Sequence, residues 1–548
     1  MPPLRLGELL QQKGLVKESH IKIALAEQSI TGHLIGLILV KLSFVSSKDI
    51  TQTLAEQAGM TFLDLTQYNI PEDVLRLVPR DLASKIGFVP LKVEDGVITI
   101  GITASENLRA VDAATRITGN PPKILMVDGS IVEATLEKAF YFLENPILEG
   151  IEKIVESVKT GELTGTKVSQ LTDFLVKDAI RRKCTDIHVT PTPETVHVFF
   201  RIDGVLQQAH CLPKIVHNGI ISRIKILSKL DIAETRVPQD GSFSFTFLNS
   251  RYDMRVSTMP TIYGENLVIR ILGSGGAILR LSSLGFDKED TDKLRRLFLK
   301  PYGMVLICGA TGSGKTTTLY AALREIDLIE KNVLTVEDPV EYRLSMVKQT
   351  SVNDKAGYSF EAAGRTFMRQ DPDVILLGEI RDEETATIAL RASITGHLVL
   401  STLHTNDAVS TIPRLVNFNV DRFLLSSALL AVIGQRLVRK ICSKCKVEYQ
   451  LKPGELEEMG FIGYDDVKTV YKGTGCTDCS GTGYLGRTTV GEIFIVDDHI
   501  KELIYTGASA NSMLDAALKN GMKTMRINGI QKAISGITTF EEILRVAG

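Results

Sequence analysis

Apolar residues recur at helical spacing through residues 1–60, as Ile21 with Leu25 and Ile50 with Leu54 illustrate. This spacing places side chains on one face of a helix, so the pattern predicts short amphipathic helices. The same region contains a near-repeat of one motif. The first copy consists of Arg5-Leu6-Gly7, Leu10 and Gln28, and the second of Ile35-Gly36, Leu39 and Gln57.

The pattern changes after residue 60. Two apolar runs, Phe88-Val89-Pro90-Leu91 and Val97-Ile98-Thr99-Ile100, are separated by Glu94-Asp95-Gly96, which is typical of two strands joined by a turn. Helical patterns flank the pair, so residues 61–142 are predicted to form a small α/β unit. Residues 143–167 are predicted to be a linker, because the stretch 159–167 is polar and rich in Gly and Thr.

A second α/β unit is predicted over residues 168–272. Strand-like runs cover 186–190, 196–202 and 242–248, and Pro238-Gln239-Asp240-Gly241 is predicted to be a turn. A glycine-rich break at 273–280 predicts a hinge before the largest unit, residues 281–548. The succession of strand and helix patterns predicts a multidomain α/β protein.

The composition argues against some functions. The chain has 548 residues, with 63 Lys plus Arg against 65 Asp plus Glu, and it contains no Trp. This balance leaves no electrostatic footprint for nucleic acid and no obvious stacking platform for bases. No secretion signal is recognised in residues 1–10, and the apolar run 34–40 is far shorter than the roughly 20 residues of a membrane span. We therefore expect a soluble protein that meets membranes through partners.

A complete phosphate-binding motif, Walker A, covers residues 309–316. The apolar run 304–308 precedes it and a helical pattern over 317–326 follows it, which is the strand–loop–helix context that the motif requires. Its glycines let backbone N–H groups surround the phosphates, and the helix N-terminus adds its dipole. Lys315 is expected to reach the β- and γ-phosphates of ATP, and Thr316 to hold Mg²⁺. The predicted nucleotide-binding residues are Gly309, Thr311, Gly312, Ser313, Gly314, Lys315, Thr316 and Thr317.

Acidic residues end two further apolar runs. The run 374–377 leads through a glycine to Glu379, which is predicted to polarise the attacking water. The run Thr335-Val336 leads to Glu337 and Asp338, and Glu337 is added to the predicted catalytic residues. A solvated turn at the end of the strand is the alternative for this pair.

Two histidines flank the predicted strand Leu398–Leu400. A single histidine is more often structural than functional. Here small polar neighbours surround His397 and His404, which favours a role at the γ-phosphate. His397 is therefore added to the predicted nucleotide-binding residues and His404 to the catalytic ones.

Four of the seven cysteines form two Cys-x-x-Cys pairs, Cys442 with Cys445 and Cys476 with Cys479. This arrangement predicts a structural zinc site with four thiolate ligands in a module over 440–487. Redox disulfides or free thiols are the alternatives. A catalytic zinc is disfavoured, because four thiolates leave no open coordination position.

With these motifs in this order, the chain resembles the ATPases of type II secretion and type IV pilus assembly. The resemblance covers nearly the whole length and includes an acidic box at 335–342, a Walker B segment at 369–379 and a histidine box at 395–406. It implies a RecA-like ATPase domain over 281–548 and a PAS-like domain over 168–272. The motifs that match the PAS-like domain are Asp186-Ile187-His188, Arg201-Ile202-Asp203-Gly204, Pro238-Gln239-Asp240-Gly241, Arg255-Val256-Ser257-Thr258 and Gly264-Glu265.

The resemblance also implies an assembly and a set of arginines. Family members are hexamers that hold ATP between the PAS-like and RecA-like domains. Their partners are an inner-membrane platform protein and the cytoplasmic domain of an inner-membrane assembly protein. The arginines that match nucleotide-contacting positions are Arg255, Arg270, Arg365 and Arg369.

The first 142 residues resemble the family's N-terminal domain, whose first part binds cyclic di-GMP in some members. The first motif copy is intact, but the second has Leu34 where a basic residue is common and Ser43 where glycine is common. We expect weak binding of cyclic di-GMP at most. A domain that only docks membrane partners is the alternative.

The leading hypothesis is a cytoplasmic ATPase motor, peripheral to the bacterial inner membrane, that extends a pilus or pseudopilus. Retraction motors of the family are much shorter and lack the N-terminal domain and the tetracysteine insertion. The alternatives are a nucleotide-dependent signalling receptor and a DNA-translocating ATPase of the RecA type.

Overall fold

The computed structural model describes residues 5–161, 164–272, 280–464 and 466–547. The chain divides into two compact units, one made of residues 1–46 with 277–548 and the other of residues 47–276. The predicted N-terminal domain, 1–142, is thus divided between the two units. The predicted hinge at 273–280 lies outside the described residues except for Arg280.

The N-terminal helices are α1 (Leu6–Gln12), α2 (Glu18–Thr31), α3 (Ile35–Lys41) and α4 (Ser47–Gln57). The near-repeat in the sequence is confirmed by matching backbone geometry. Gly14 follows α1 and Ser43 follows α3, and both have left-handed φ angles, 64° and 62°. Each turn closes with an equivalent bond, from Leu15 N–H to the Leu10 carbonyl and from Phe44 N–H to the Leu39 carbonyl.

The predicted strand pair is confirmed in a four-stranded sheet of order β1-β4-β3-β2, in which only β2 and β3 are antiparallel. Phe88, Ile98 and Ile100 are fully buried in its core. The elements of this α/β subdomain are β1 (Phe62–Leu63), α5 (Glu72–Leu77), α6 (Arg80–Ile86), β2 (Phe88–Glu94), β3 (Val97–Ile102), α7 (Leu108–Thr118), β4 (Lys123–Val127) and α8 (Gly129–Glu144).

The second α/β domain is an antiparallel six-stranded sheet of order β7-β6-β5-β10-β9-β8. Its helices are α9 (Ile147–Lys159), α10 (Gly165–Arg181) and α11 (His217–Ser228). Its strands are β5 (Asp186–Pro191), β6 (Thr195–Ile202), β7 (Val205–Pro213), β8 (Gln239–Phe247), β9 (Ser250–Thr261) and β10 (Gly264–Leu272).

Two segments of this domain differ from the sequence predictions. The predicted linker, 143–167, contains α9, whose Ile147, Ile151 and Ile154 are buried in the domain core. Their spacing places all three side chains on one face of the helix, so α9 is part of the packed domain and not a linker. Residues Gln239–Gly241 of the predicted turn belong to β8 and pair with β9, because the ladder extends to Thr258.

The C-terminal domain is built on a seven-stranded sheet of order β13-β12-β14-β15-β11-β16-β19, parallel except for β19. Separate apolar cores cover its two faces. Its strands are β11 (Gly303–Cys308), β12 (Val333–Glu337), β13 (Lys348–Ser351), β14 (Val374–Leu377), β15 (Leu398–Leu403), β16 (Leu429–Ile441), β17 (Lys446–Gln450), β18 (Thr469–Gly473) and β19 (Tyr484–Ile495), with β17 and β18 forming a separate hairpin.

Helices cover both faces of the seven-stranded sheet and form most of the C-terminal region. They are α12 (Lys288–Phe298), α13 (Lys315–Glu325), α14 (Phe360–Phe367), α15 (Glu383–Ile394), α16 (Thr411–Val416), α17 (Arg422–Ala428), α18 (Glu455–Glu458), α19 (Asp498–Thr506), α20 (Ala510–Lys519), α21 (Met525–Ile534) and α22 (Phe540–Ala547). Among the described residues, no single helix has the length and hydropathy to cross a membrane, although α2 and α3 satisfy both requirements as a pair bent by 110°.

Candidate functional site

The Walker A motif forms a tight loop between a buried strand and a helix. Every residue of β11 is buried, and α13 begins at Lys315. Gly314, directly before the helix, has a φ angle of 89°, which favours glycine. A Cβ atom at Gly309 would lie 2.5 Å from the carbonyl oxygen of Gln435, so the close approach of two backbones requires glycine there. The buried Ser313 hydroxyl has no hydrogen-bond partner within the described ranges, as expected of a group that a phosphate would meet.

Lys315 is turned onto its own loop. Its ammonium group donates hydrogen bonds to the carbonyls of Gly309 and Ala310, at 2.9 and 3.2 Å. Burial lowers the pKa of Lys315, while the carboxylate of Glu379 acts in the opposite direction. Phosphate oxygens can replace the two carbonyls as acceptors, so the loop has a cation ready for a polyphosphate.

Glu379 lies at the carboxyl edge of the sheet, as the P-loop does. It follows β14, and the next residue is tied to β15 by a bond from Ile380 N–H to the Thr402 carbonyl. Its carboxylate forms an ion pair with Arg381 and lies 3.5 Å from Nε2 of His404. Burial and then the charge of Lys315 lower the pKa of His404. The structure therefore brings Lys315, Glu379 and His404 to one edge of the sheet.

Glu337 has a different environment from Glu379. Its buried carboxylate accepts hydrogen bonds from the hydroxyls of Tyr320 and Thr335, at 2.6 and 2.8 Å, and from the amide of Gln349 at 3.1 Å. Burial, together with this carboxylate, raises the pKa of Tyr320. Glu337 thus links helix α13 to strands β12 and β13, and its acceptor sites are largely satisfied by the protein.

Gln435 is a component of the site that the sequence analysis missed. This fully buried side chain on β16 donates to the carbonyl of Ser313 and accepts from the hydroxyl of Thr318, both at 2.9 Å. It therefore holds the P-loop from both sides of Lys315. In the sequence, the only indication of this role is a polar amide inside the apolar run of β16, and this residue belongs to none of the motifs described above. The neighbouring Arg436 donates to the Asn406 carbonyl at 2.9 Å, which ties β16 to the histidine box.

His397 lies at the opposite edge of the sheet from His404. The two residues flank β15, whose six residues span about 20 Å. His397 is bonded to the carbonyl of Ala392 at 2.9 Å, and its carbonyl accepts from Gly303 N–H at the start of β11. The structure does not bring His397 to the P-loop of its own chain, because it stands at the wrong end of the strand.

Arg365 and Arg369 also stand apart from the P-loop. They lie at the end of α14, shortly before β14 begins at the amino edge of the sheet. Arg365 is exposed and pairs with Glu361, and Arg369 donates to the Arg365 carbonyl at 3.3 Å. Among the described contacts, neither arginine reaches Lys315 or Glu379.

Arg255 and Arg270 lie side by side in the second unit. Strand pairing places Arg201, Asp186, Arg270 and Arg255 in one row across four strands. Arg270 donates to Asp186 at 2.9 Å, and this bond lowers the pKa of Asp186 although burial acts in the opposite direction. Two of the arginines, Arg270 and Arg201, pair with Asp186, and Arg255 beside them is exposed. Such a row is chemically suited to an anion.

The four paired cysteines converge at one point. Their sulfur atoms all lie within 4.8 Å of one another, and the Cys442–Cys476, Cys445–Cys479 and Cys476–Cys479 separations are 3.8, 3.9 and 3.7 Å. A zinc ion with Zn–S bonds of about 2.3 Å requires sulfur separations of about 3.8 Å in a tetrahedron. The donor set and its geometry therefore fit a four-thiolate zinc site.

The first motif copy at the N-terminus is ordered around helices α1 and α2. Arg5 is exposed at the start of α1, and Leu10 is fully buried. Gly7 packs on Ile21, since an added Cβ would touch that side chain at 3.5 Å. Gln28 donates a hydrogen bond to the carbonyl of His33 at 2.9 Å. The exposed cation of this motif copy is Arg5.

Fold and site together define a RecA-like P-loop ATPase. The family described as "Type II/IV secretion system protein" matches residues 163–545, and the MshEN domain matches residues 58–144. The type IV pilus assembly ATPase PilB of Myxococcus xanthus (strain DK1622) is 38% identical over 98% of this chain and 98% of its own length. The type II secretion system ATPase E of Vibrio cholerae serotype O1 (strain ATCC 39315 / El Tor Inaba N16961) is 42% identical over 69% of this chain and 75% of its own.

The chain belongs to the type II/IV secretion system protein family, and it is an ATP hydrolase of the class that powers pilus assembly and type II secretion. The ATPase DotB of Legionella pneumophila supports the fold alone. Its structure covers 68% of this chain and 94% of its own, with a TM-score of 0.50 and 20% identity. These comparisons favour a motor over a signalling receptor or a DNA translocase.

Proposed function

We propose that this protein is an extension motor, in which ATP hydrolysis drives the assembly of a type IV pilus or a type II secretion pseudopilus. The supporting observation is the near-complete alignment, over 98% of both chains, with a type IV pilus assembly ATPase. The alignment includes the N-terminal region and the tetracysteine segment, and not the ATPase domain alone.

Each residue at the sheet edge has a proposed task in ATP hydrolysis. Lys315 leaves the carbonyls of its own loop and neutralises the β- and γ-phosphates, and Thr316 would hold the Mg²⁺ that accompanies ATP. Glu379 accepts a proton from the attacking water or orients it, and His404, kept neutral by burial and Lys315, contacts the γ-phosphate. Arg381 holds Glu379 in place before the substrate binds.

We propose further that the arginines act between domains in a homohexamer. The Arg255–Arg270 row lies on the six-stranded sheet, and its excess positive charge suits a nucleotide phosphate. Arg365, Arg369 and His397 lie away from the P-loop of their own chain, so any contact they make with nucleotide would come from an assembly. A mass measurement of the purified protein with ATP tests the hexamer.

Zinc is the proposed occupant of the four-cysteine cluster. The site is closed, because four thiolates complete a tetrahedron, and bound zinc would supply cross-linking of the module and no chemistry on ATP. The backbone N–H groups of Cys476 and Gly483 point at the sulfur of Cys479, which stabilises its thiolate form.

We propose that the protein acts at the cytoplasmic face of the inner membrane. The expected partners are a membrane platform protein and the cytoplasmic domain of an assembly protein. Cyclic di-GMP is a further proposed ligand of the N-terminal helices. Arg5 is available to pair with phosphate or to stack on guanine, but the second motif copy has Leu34 in the corresponding position. We therefore propose weak binding.

The test is deletion of this gene in its own organism, followed by complementation with the wild-type chain or with Glu379→Gln. We expect the wild-type gene to restore surface fibres or secretion and the variant to accumulate to normal levels without restoring either. Normal fibres and normal secretion in the deletion strain would contradict the proposed role.

A further inference from the structure

The N-terminal helices touch the ATPase domain at a buried carboxylate. Both segments belong to the same compact unit. Lys17 Nζ lies 2.7 Å from one carboxylate oxygen of Asp327, and His20 Nε2 lies 3.7 Å from the other. The Asp327 side chain is only 6% exposed. It follows helix α13, the helix that begins with the P-loop Lys315.

A second contact lies on the segment that follows the acidic box. Ser345 donates a hydrogen bond to the carbonyl of Lys41, at the end of α3, with a distance of 2.6 Å. The same segment is tied to α13, because the Tyr320 hydroxyl oxygen accepts a hydrogen bond from Tyr342 N–H at 3.3 Å. Both contacts therefore reach parts of the domain that are attached to the P-loop helix.

These contacts are polar. The three large apolar cores of the ATPase domain consist of residues between 281 and 547, whereas α1–α3 bury their own side chains, such as Leu10, Ile38 and Leu39. Lys17 remains 59% exposed although it is paired. A polar contact of this kind contributes little free energy and can open and close during function.

We propose that helices α1–α3 form a built-in restraint on the P-loop helix, docked through Lys17, His20 and Lys41 onto Asp327 and Ser345. This inference rests on the proposed ATP-driven function. Lys315 must leave the carbonyls of Gly309 and Ala310 to meet a phosphate, and this movement starts at the first turn of α13. A module that holds the other end of the same helix opposes the movement, so docking lowers basal ATP turnover.

Helices α1–α3 also contain the first copy of the near-repeat that is proposed to bind cyclic di-GMP. Lys17 and His20 stand at the beginning of α2, while Arg5 begins α1 and Gln28 lies near the end of α2. His20 is fixed in place by stacking on Phe44, with ring centroids 4.3 Å apart. A ligand that binds Arg5 can therefore change the position of the docking residues without touching the ATPase domain.

The experiment uses the full-length chain and four variants. Lys17→Glu breaks the ion pair by charge reversal. Lys22→Glu is the matched control, because Lys22 lies on α2, close to Lys17, and its ion pair within the described part of the chain is with Glu18 of the same helix. Asp327→Lys and the double variant Lys17→Glu/Asp327→Lys complete a double-mutant cycle, which separates the docking contact from the bond that Asp327 makes to Ile329 N–H. ATP turnover and amide hydrogen exchange of residues 327–331 and 341–347 are measured in each.

We expect Lys17→Glu to raise basal ATP turnover about two- to fivefold and to speed exchange in both segments. The double variant should exchange more slowly than Asp327→Lys alone, and Lys22→Glu should match the wild type. Unchanged turnover and exchange in Lys17→Glu, in a preparation whose wild-type chain hydrolyses ATP, would overturn the restraint. A wild-type chain without ATP turnover would instead overturn the proposed function.

Discussion

Single side chains at the carboxyl edge of the seven-stranded sheet fall into two groups. In the proposed mechanism Lys315, Glu379 and His404 bring charge or proton transfer to the nucleotide. Their position at this edge was predictable because each belongs to a recognisable motif. Glu337 and Gln435 hold backbone and helix in position. Gln435 was not predictable, since its partners lie in the P-loop and in α13, more than a hundred residues away in sequence.

Gln435→Ala tests the second group. The substitution leaves the Ser313 carbonyl and the Thr318 hydroxyl without their buried partner, at a cost of about 1–3 kcal/mol. We expect ATP affinity to fall roughly tenfold, as measured by titration with a fluorescent ATP analogue. Val432→Ala, a truncation of a buried core residue on the same strand, is the control for general destabilisation. Equal affinities in the two variants would show that Gln435 only fills space.

Glu542 provides a prediction for pH. This buried carboxylate on α22 accepts from the Arg439 backbone and side chain and from Arg545. Although burial acts in the opposite direction, the hydrogen bonds from Arg545 and Arg439 lower the pKa of Glu542 to about 2. A lowered pKa stabilises the folded state above pH 4.5, and this stabilisation is lost as the pH falls towards 2.

The corresponding measurement is urea unfolding of wild type and Glu542→Gln. At pH 7 we expect the variant to have a lower free energy of unfolding by roughly 3 kcal/mol, and the difference should shrink as the pH is lowered from 5 to 3. A difference that stays constant over this range would mean that the charge of Glu542 contributes nothing.

At the scale of elements, β16 connects the chemical site to the tetracysteine module. This strand of 13 residues carries Gln435 and Arg436 beside the P-loop and histidine box, and it ends at Ile441, directly before Cys442. The sequence predicted the strands around the motifs well, because buried parallel strands form short apolar runs. The prediction of a linker over 143–167 was wrong. The polar Gly/Thr stretch is confined to the end of this segment, whereas the isoleucines of α9 before it are buried in the domain core.

The tetracysteine module gives a prediction at this scale. Cys442→Ser should remove bound zinc and unfold the module, because the serine hydroxyl does not replace a thiolate ligand. Freshly reduced protein should contain one zinc per chain by elemental analysis, and the variant should contain none and should be cleaved faster by protease within 440–487. Cys211→Ser, at an exposed cysteine outside the cluster, is the control. Absence of zinc from the reduced wild type would contradict the assignment.

At the scale of the whole molecule, ordered motifs predicted a multidomain α/β ATPase, and the family matches over 58–144 and 163–545 confirm this fold class. The boundaries of the PAS-like domain stay a prediction. The division of the N-terminal region after Ser46 was not predictable. It depends on polar contacts such as Lys17 with Asp327, which are 310 residues apart and leave no periodic pattern in the sequence.

We propose that Lys315 and Glu379 make this chain an ATP-driven motor, and a comparison of phosphate release with ATP binding separates their roles. Phosphate release and ATP binding are measured for the wild type, Lys315→Ala and Glu379→Gln under the same conditions. We expect the wild type to release phosphate, Lys315→Ala to lose both activities almost completely, and Glu379→Gln to bind ATP with hydrolysis reduced at least about a hundredfold. Wild-type phosphate release by Glu379→Gln, or by Lys315→Ala, would show that the substituted residue has no role in ATP hydrolysis.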